Sequence, residues 1–114
     1  MPLILEERGL ISEAERRSPR EKIAFFDGLC RLRNGDLLCG FTVGTTKHAP
    51  DGTLRLCRSR DQGRTWSDVP FDFTTTRDGV PGSLAGCEMV EARPGRLLLA
   101  TTWYDRGEPE RPLF

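Results

Sequence analysis

Two stretches of this 114-residue chain carry residue types able to do chemistry. The first is Gly44-Thr-Thr-Lys-His-Ala-Pro-Asp-Gly52, in which Asp51 is an acid able to exchange protons and His48 and Lys47 stand close by. A positioned carboxyl group is a common agent of general acid/base work. The second is Trp103-Tyr-Asp-Arg106, where two aromatic rings adjoin an acid and a guanidinium, a set suited to stacking and to binding hydroxyl groups. Each stretch has a plainer reading. Pro50-Asp51-Gly52 is an ordinary turn sequence, His48 is equally a solvated loop residue, and aromatic rings at a strand end equally cap an apolar strand.

Metal and nucleophilic thiol chemistry find little support. Cys30, Cys39, Cys57 and Cys87 are 9, 18 and 30 residues apart, without a CxxC pair, so a zinc site is not indicated. Each lies in an apolar, strand-like run, which predicts buried free thiols acting as small hydrophobes. No metal or cofactor is expected. Seventeen basic residues, of which 15 are Arg, balance seventeen acidic ones, so no net field draws the chain to nucleic acid or an anionic membrane. No run approaches the ~20 apolar residues of a membrane span. Met1-Pro-Leu-Ile-Leu5 leads straight into Glu6-Glu-Arg8, which is no signal-peptide core, so a cytoplasmic location is expected.

The elements that must position these residues are strands. Residues 1–22 are charged and lack a clean period, with at most one helical turn before Pro19, and read as an N-terminal arm. From Ile23 the pattern becomes short alternating or apolar runs punctuated by Gly, Asn, Asp and Pro. The runs are Ile23–Arg33, Asp36–Val43, Thr53–Arg58 and Val69–Phe73. Asn34-Gly35 predicts a type I′ hairpin between the first two. Four consecutive antiparallel strands make a meander over 23–73, with Pro70 placing the fourth at an edge. After a polar connector at 74–82, Ser83–Arg93 and Arg96–Tyr104 repeat the first two strands around Pro94-Gly95. Gly35-Asp-Leu-Leu-Cys-Gly-Phe-Thr42 matches Gly95-Arg-Leu-Leu-Leu-Ala-Thr-Thr102 at Gly, Leu, Leu and Thr, an offset of 60. Periods of ~40–50 residues with four strands each mark propeller blades, and 60 allows for one long connector.

Antiparallel connectivity then sorts the loops. The strand 1–2 and strand 3–4 turns share one edge of the sheet. The start of strand 1 and the 44–52 loop share the other, which gathers Asp27, Lys47, His48, Asp51, Glu88, Trp103, Tyr104, Asp105 and Arg106 as candidate site residues.

Ser59-Arg-Asp-Gln-Gly-Arg-Thr-Trp66 fits the pattern S-x-D-x-G-x-T-W at Ser59, Asp61, Gly63, Thr65 and Trp66. Such a match arises by chance on the order of once in ten thousand chains of this length. Gly63 supplies positive φ, Ser59 and Asp61 can bind the turn amides, and Trp66 gives an apolar plate to pack on the sheet. In this segment and in its flanking strands, over about residues 23–106, the chain resembles the Asp-box (bacterial neuraminidase repeat) proteins of the sialidase-like superfamily.

The resemblance implies a six-bladed β-propeller. Blade one would be 23–73 and the first half of blade two 83–106, so that 23–114 is a partial propeller, the N-terminal portion of a longer protein with its remaining blades as partners. It also implies that the Asp box is structural and that a carbohydrate ligand meets the edge carrying the 44–52 loop. Asp51 is the carboxylate nearest to the family's acid/base position. Where the family opens strand 1 with an Arg that clamps the sialic carboxylate, this sequence has Phe25-Phe26-Asp27, which implies a glycan other than sialic acid. A sialidase-like glycoside-processing protein is the leading expectation. A non-catalytic propeller for glycan or protein binding, or a fragment without activity of its own, are the alternatives.

Overall fold

The computed structural model describes residues 2–112. Six strands follow in chain order: β1 Ile23–Arg31, β2 Leu37–Gly44, β3 Thr53–Ser59, β4 Ser67–Val69, β5 Gly82–Arg93 and β6 Arg96–Asp105. β1 to β4 form one antiparallel meander in sequence order, and β5 and β6 form a separate hairpin. The chain is all-β, as its alternating pattern predicts. Among the described residues no helix is long and apolar enough to cross a membrane.

The two faces of the first sheet are both buried, each by a different part of the chain. Cys39, Phe41, Val43 and Cys57 share one face, and Ile11 from the arm and Trp66 pack against it. The opposite face presents Leu54 and Leu56, which meet Leu84 and Cys87 of β5 together with half-buried Met89, Leu99 and Trp103. The β5–β6 hairpin is thus stacked face to face on the sheet, with β5 lying over β1, β2 and β3. Two directly paired glycines, Gly28 on β1 and Gly40 on β2, make this close approach possible. A Cβ at Gly28 would lie 1.8 Å from the Cys87 carbonyl oxygen, and one at Gly40 would lie 2.3 Å from the Cys87 sulfur. Thr42 completes the seam: its side chain is fully buried, and its Oγ1 accepts a 2.9 Å hydrogen bond from the Gly86 amide.

The repeat seen in the sequence holds at the level of register. In the first hairpin Ala24 pairs with Val43, Phe25 with Thr42, Gly28 with Gly40 and Cys30 with Leu38. In the second, Leu84 pairs with Trp103, Ala85 with Thr102, Glu88 with Ala100 and Val90 with Leu98, each partner displaced by 60. The irregularity recurs too. Each first strand is bulged at the same place, between Phe25 and Gly28 and between Ala85 and Glu88. Phe26 (φ 50°) and Gly86 (φ 82°), again 60 residues apart, both take the left-handed conformation there.

Three expectations are corrected. The Asn34-Gly35 turn is not type I′, which needs positive φ at both central residues. Only Gly35 is left-handed (φ 95°), and the Leu32 amide bonds the Asp36 carbonyl at 2.8 Å, so three residues form the loop. The turn of the predicted kind lies instead in the connector, where Asp78 (φ 50°) and Gly79 (φ 80°) link Arg77 and Val80 through two backbone hydrogen bonds of 3.0 and 2.9 Å. The fourth strand is Ser67–Val69 rather than Val69–Phe73: it ends where Pro70, lacking an N–H, interrupts the ladder. Finally, the arm has two 3-10 turns, Ala14–Arg16 and Pro19–Glu21, and Pro19 opens the second instead of merely ending the first. Arg17 holds them together by donating to the carbonyls of Ser12, Glu21 and Lys22.

Candidate functional site

The Ser59–Trp66 turn is closed on itself by its own side chains. Ser59 Oγ donates to Asp61 Oδ1 at 2.8 Å and accepts the Gly63 amide at 2.8 Å. The Asp61 carboxylate accepts the Thr65 amide at 2.8 Å and the Thr65 hydroxyl at 2.5 Å. Trp66 Nε1 donates to the Gly63 carbonyl at 3.0 Å while its ring lies on the Cys39–Phe41 face. These bonds, led by those from Thr65, hold the Asp61 carboxyl at a pKa of about 2. The Asp61 oxygens are spent on local structure.

The same edge carries a clamp between the two hairpins. One Glu91 oxygen accepts the Arg33 amide at 2.6 Å and the other the Gly95 amide at 3.1 Å. The Arg33 and Gly95 bonds lower its pKa.

The opposite edge is where the candidate residues converge. The 44–52 loop is folded by two backbone turns, Ala49 to Thr46 and Gly52 to Ala49, and by Asp51 Oδ1, which accepts both the amide and the hydroxyl of Thr45 at 3.2 Å. Asp51 therefore performs the turn work that its sequence context suggests. Arg106 ties the loop to the second hairpin: Nε donates to Ser83 Oγ at 2.8 Å and Nη2 to the His48 carbonyl at 2.9 Å. The Leu84 amide adds a 2.9 Å bond to the Gly52 carbonyl. The loop, the start of β5 and the end of β6 are thus one ordered surface.

On it the His48 ring meets Phe25 (centroids 5.6 Å apart) and Phe26 (5.9 Å), and the Lys47 ammonium stands 5.6 Å from the Phe26 ring centre. Phe26 is half exposed yet left-handed, and His48 is left-handed as well (φ 63°). Such a backbone costs a bulky residue of order 1–3 kcal/mol. Sequence reasoning placed Phe25 and Phe26 on this edge but gave them no role. The signal that was available is the Gly at position 86, which marks the bulge in the second hairpin.

The remaining candidates disperse. Asp27 opens onto a groove between the arm and the sheet, lined by Ile11, Arg17 and Phe41 among others. Glu88 is exposed but pairs with Ala100 in mid-strand, about 20 Å along β5 from Gly82. Trp103 points inward to Leu84 and Cys87 and donates from Nε1 to the Thr75 carbonyl at 2.7 Å. Tyr104, Asp105 and Arg106 line a small groove with Arg111, and Asp105 Oδ1 accepts the Gly107 amide at 2.7 Å.

All four cysteines are free and buried, as predicted. Burial, followed by the Asp68 carboxylate, pushes Cys57 up to about 12, and burial pushes Cys87 up to about 11, so both are unreactive thiols. Among the described residues no group of three or more His, Cys, Asp or Glu could hold a metal ion. No protein family, characterised protein or solved structure matches the chain. What fold and site define is a class only: an all-β protein of stacked, register-repeated hairpins, with an aromatic and basic edge.

Proposed function

We propose that the chain is part of a sialidase-like, six-bladed β-propeller that binds a glycan other than sialic acid at the edge formed by Phe26, the 44–52 loop and Arg106. The observation that carries this reading is the 60-residue repeat of register and bulge, joined to the self-closed Ser59–Trp66 turn. Stacked, repeating antiparallel units that each bury a neighbour's face are the principle of repeat and propeller architectures. Further units fit the same plan. Leu38 and Thr42 are buried, Thr42 against the Gly86 amide of β5, whereas their counterparts Leu98 and Thr102 are exposed on the second hairpin. A third hairpin would cover them, its bulge amide meeting Thr102 as Gly86 meets Thr42.

Glycoside hydrolysis by this protein would use Asp51 as acid/base. A second, non-catalytic reading is favoured by the Asp51 carboxylate being already engaged with Thr45. The test is a panel of aryl glycosides, sialosides included, and of free oligosaccharides, offered to the full-length protein and to Asp51→Asn. Sugar binding without sialoside cleavage is expected. A rate falling ~10²–10⁴-fold in Asp51→Asn assigns it the proton transfer, and an unchanged rate leaves it a turn residue. Failure to bind any saccharide refutes the proposal.

A further inference from the structure

The bulge of β1 holds a residue that neither the fold nor the turn explains. Phe26 and Asp27 stand where the pairing passes from Phe25↔Thr42 to Gly28↔Gly40. The second hairpin makes the same bulge with Gly86, the one residue type that takes positive φ without steric strain. In the first hairpin a phenyl ring occupies the place, at φ 50° and 50% exposed. The fold therefore accepts a strained backbone and leaves an apolar ring in water, although glycine serves at the equivalent point. Strain with exposure at one side chain is a reason to look for a ligand.

The surroundings narrow the ligand. Phe26 is held edge-on by Phe25 at 5.0 Å and flanked by His48, which fixes the ring plane. Among the described residues Lys47 stands over the ring, 5.6 Å from its centre, Arg106 is bound to the His48 carbonyl, and Arg111 lies against Asp105 at the same strand end. The carboxylate of the same loop, Asp51, is turned to Thr45. A half-exposed apolar ring with an ammonium over one of its faces suits a pyranose that offers a C–H face to the exposed part of the ring and an anion to the lysine.

We infer that Phe26 is the stacking platform for a hexuronate residue of a glycan, and that Lys47 pairs with its carboxylate. This rests on the carbohydrate reading proposed above and deepens it.

The experiment is calorimetric titration of the full-length protein with trigalacturonate, with a glucuronate-containing trisaccharide, with the methyl ester of each, and with neutral cellotetraose. At least one acid is expected to bind ten times or more tightly than its ester, and to weaken with added salt. Lys47→Gln is expected to erase the acid–ester difference and leave ester affinity unchanged. Phe26→Gly is expected to weaken acid and ester at least tenfold without lowering the melting temperature, because it matches Gly86. Phe26→Asn, which also tolerates the left-handed backbone, is expected to behave alike. Esters binding as tightly as acids, or tight binding retained in both Phe26 variants, would overturn the inference. Binding of cellotetraose alone would overturn it too while leaving the carbohydrate reading intact. Silence with all five sugars would overturn both.

Discussion

Gly28→Ala is the most direct probe of how the two hairpins are joined. The added methyl would stand 1.8 Å from the Cys87 carbonyl oxygen and 3.0 Å from its carbon, and both are backbone atoms with no rotamer to escape into. Restoring an ordinary contact of about 3.4 Å requires β1 and β5 to part locally by about 1.6 Å. That opens the seam in which Cys87 is 3% and Leu84 6% exposed, and it pulls the Gly86 amide from Thr42. Overpacking of a core commonly costs about 1–3 kcal/mol, and a clash with rigid backbone belongs at the upper end. At about 4–8 °C per kcal/mol, a melting temperature lower by about 8 °C or more is expected. Circular dichroism gives the melt, and iodoacetamide labelling with peptide mapping reads whether Cys87 has become accessible. Gly9→Ala is the control, since a Cβ there meets nothing within 4 Å. A Gly28→Ala protein that melts within about 2 °C of wild type, with Cys87 still protected, refutes the face-to-face packing.

Three further outcomes follow from the same contacts. Trp66→Ala removes a half-buried ring from the Cys39–Phe41 face and is expected to cost about 3 kcal/mol, the lower end for a buried Trp. A denaturant midpoint equal to that of wild type would show that Trp66 does not hold the turn to the sheet. Asp61 titrates at about 2 in the fold against 3.8 when free, so its contribution is complete above pH 3.8 and disappears as the pH falls toward 2. Asp61→Asn should therefore be less stable than wild type at pH 6 and converge with it near pH 2; parallel stability curves over that window would contradict the assignment. Deleting residues 1–17 uncovers the face holding Cys39 and Cys57, so these two thiols should label faster while Cys87 stays protected beneath β5. Equal labelling of all three in both proteins would show that the arm does not cover the sheet.

Much of the architecture was legible because it depends on local signals. Alternating apolar runs and turn residues are enough to order four strands and a repeated hairpin, and S-x-D-x-G-x-T-W names residues that satisfy one another inside a single turn. What was hidden depends on pairing. Whether Asn34-Gly35 or Asp78-Gly79 makes the two-residue type I′ turn is decided by which flanking amides meet, and Leu32 meets Asp36 one step too early for Asn34 to turn left-handed. A bulge also resets the alternation of faces after it. Asp27 and Glu88 were placed by connectivity alone, but Glu88 lies well inside the 12-residue β5, paired with Ala100, and Asp27 lines the groove between the arm and the sheet. The arm has no periodicity to read, and its role comes from contacts made at a distance: Ile11 on the sheet, Arg17 between its two turns, and the Glu21–Arg55 ion pair.

The candidate site and the seam between hairpins are mechanically one object. The first sheet supplies Phe25 and Phe26 from β1 and Lys47 and His48 from its β2–β3 loop, while the second hairpin supplies Ser83 and Arg106, which fix the loop through the His48 carbonyl. The bulge that exposes Phe26 is followed at once by Gly28, the residue against which β5 lies. On the other edge Glu91 pins both hairpin turns, so each end of the seam is anchored by a side chain of the second unit. A stacked repeat fixes its units by contact with neighbours alone. Repetition of a bulge then offers two sites on one backbone geometry: where the bulge carries glycine it serves packing, with its amide on Thr42, and where it carries phenylalanine it turns a ring to solvent. The difference between Gly86 and Phe26 is one of side chain, not of fold.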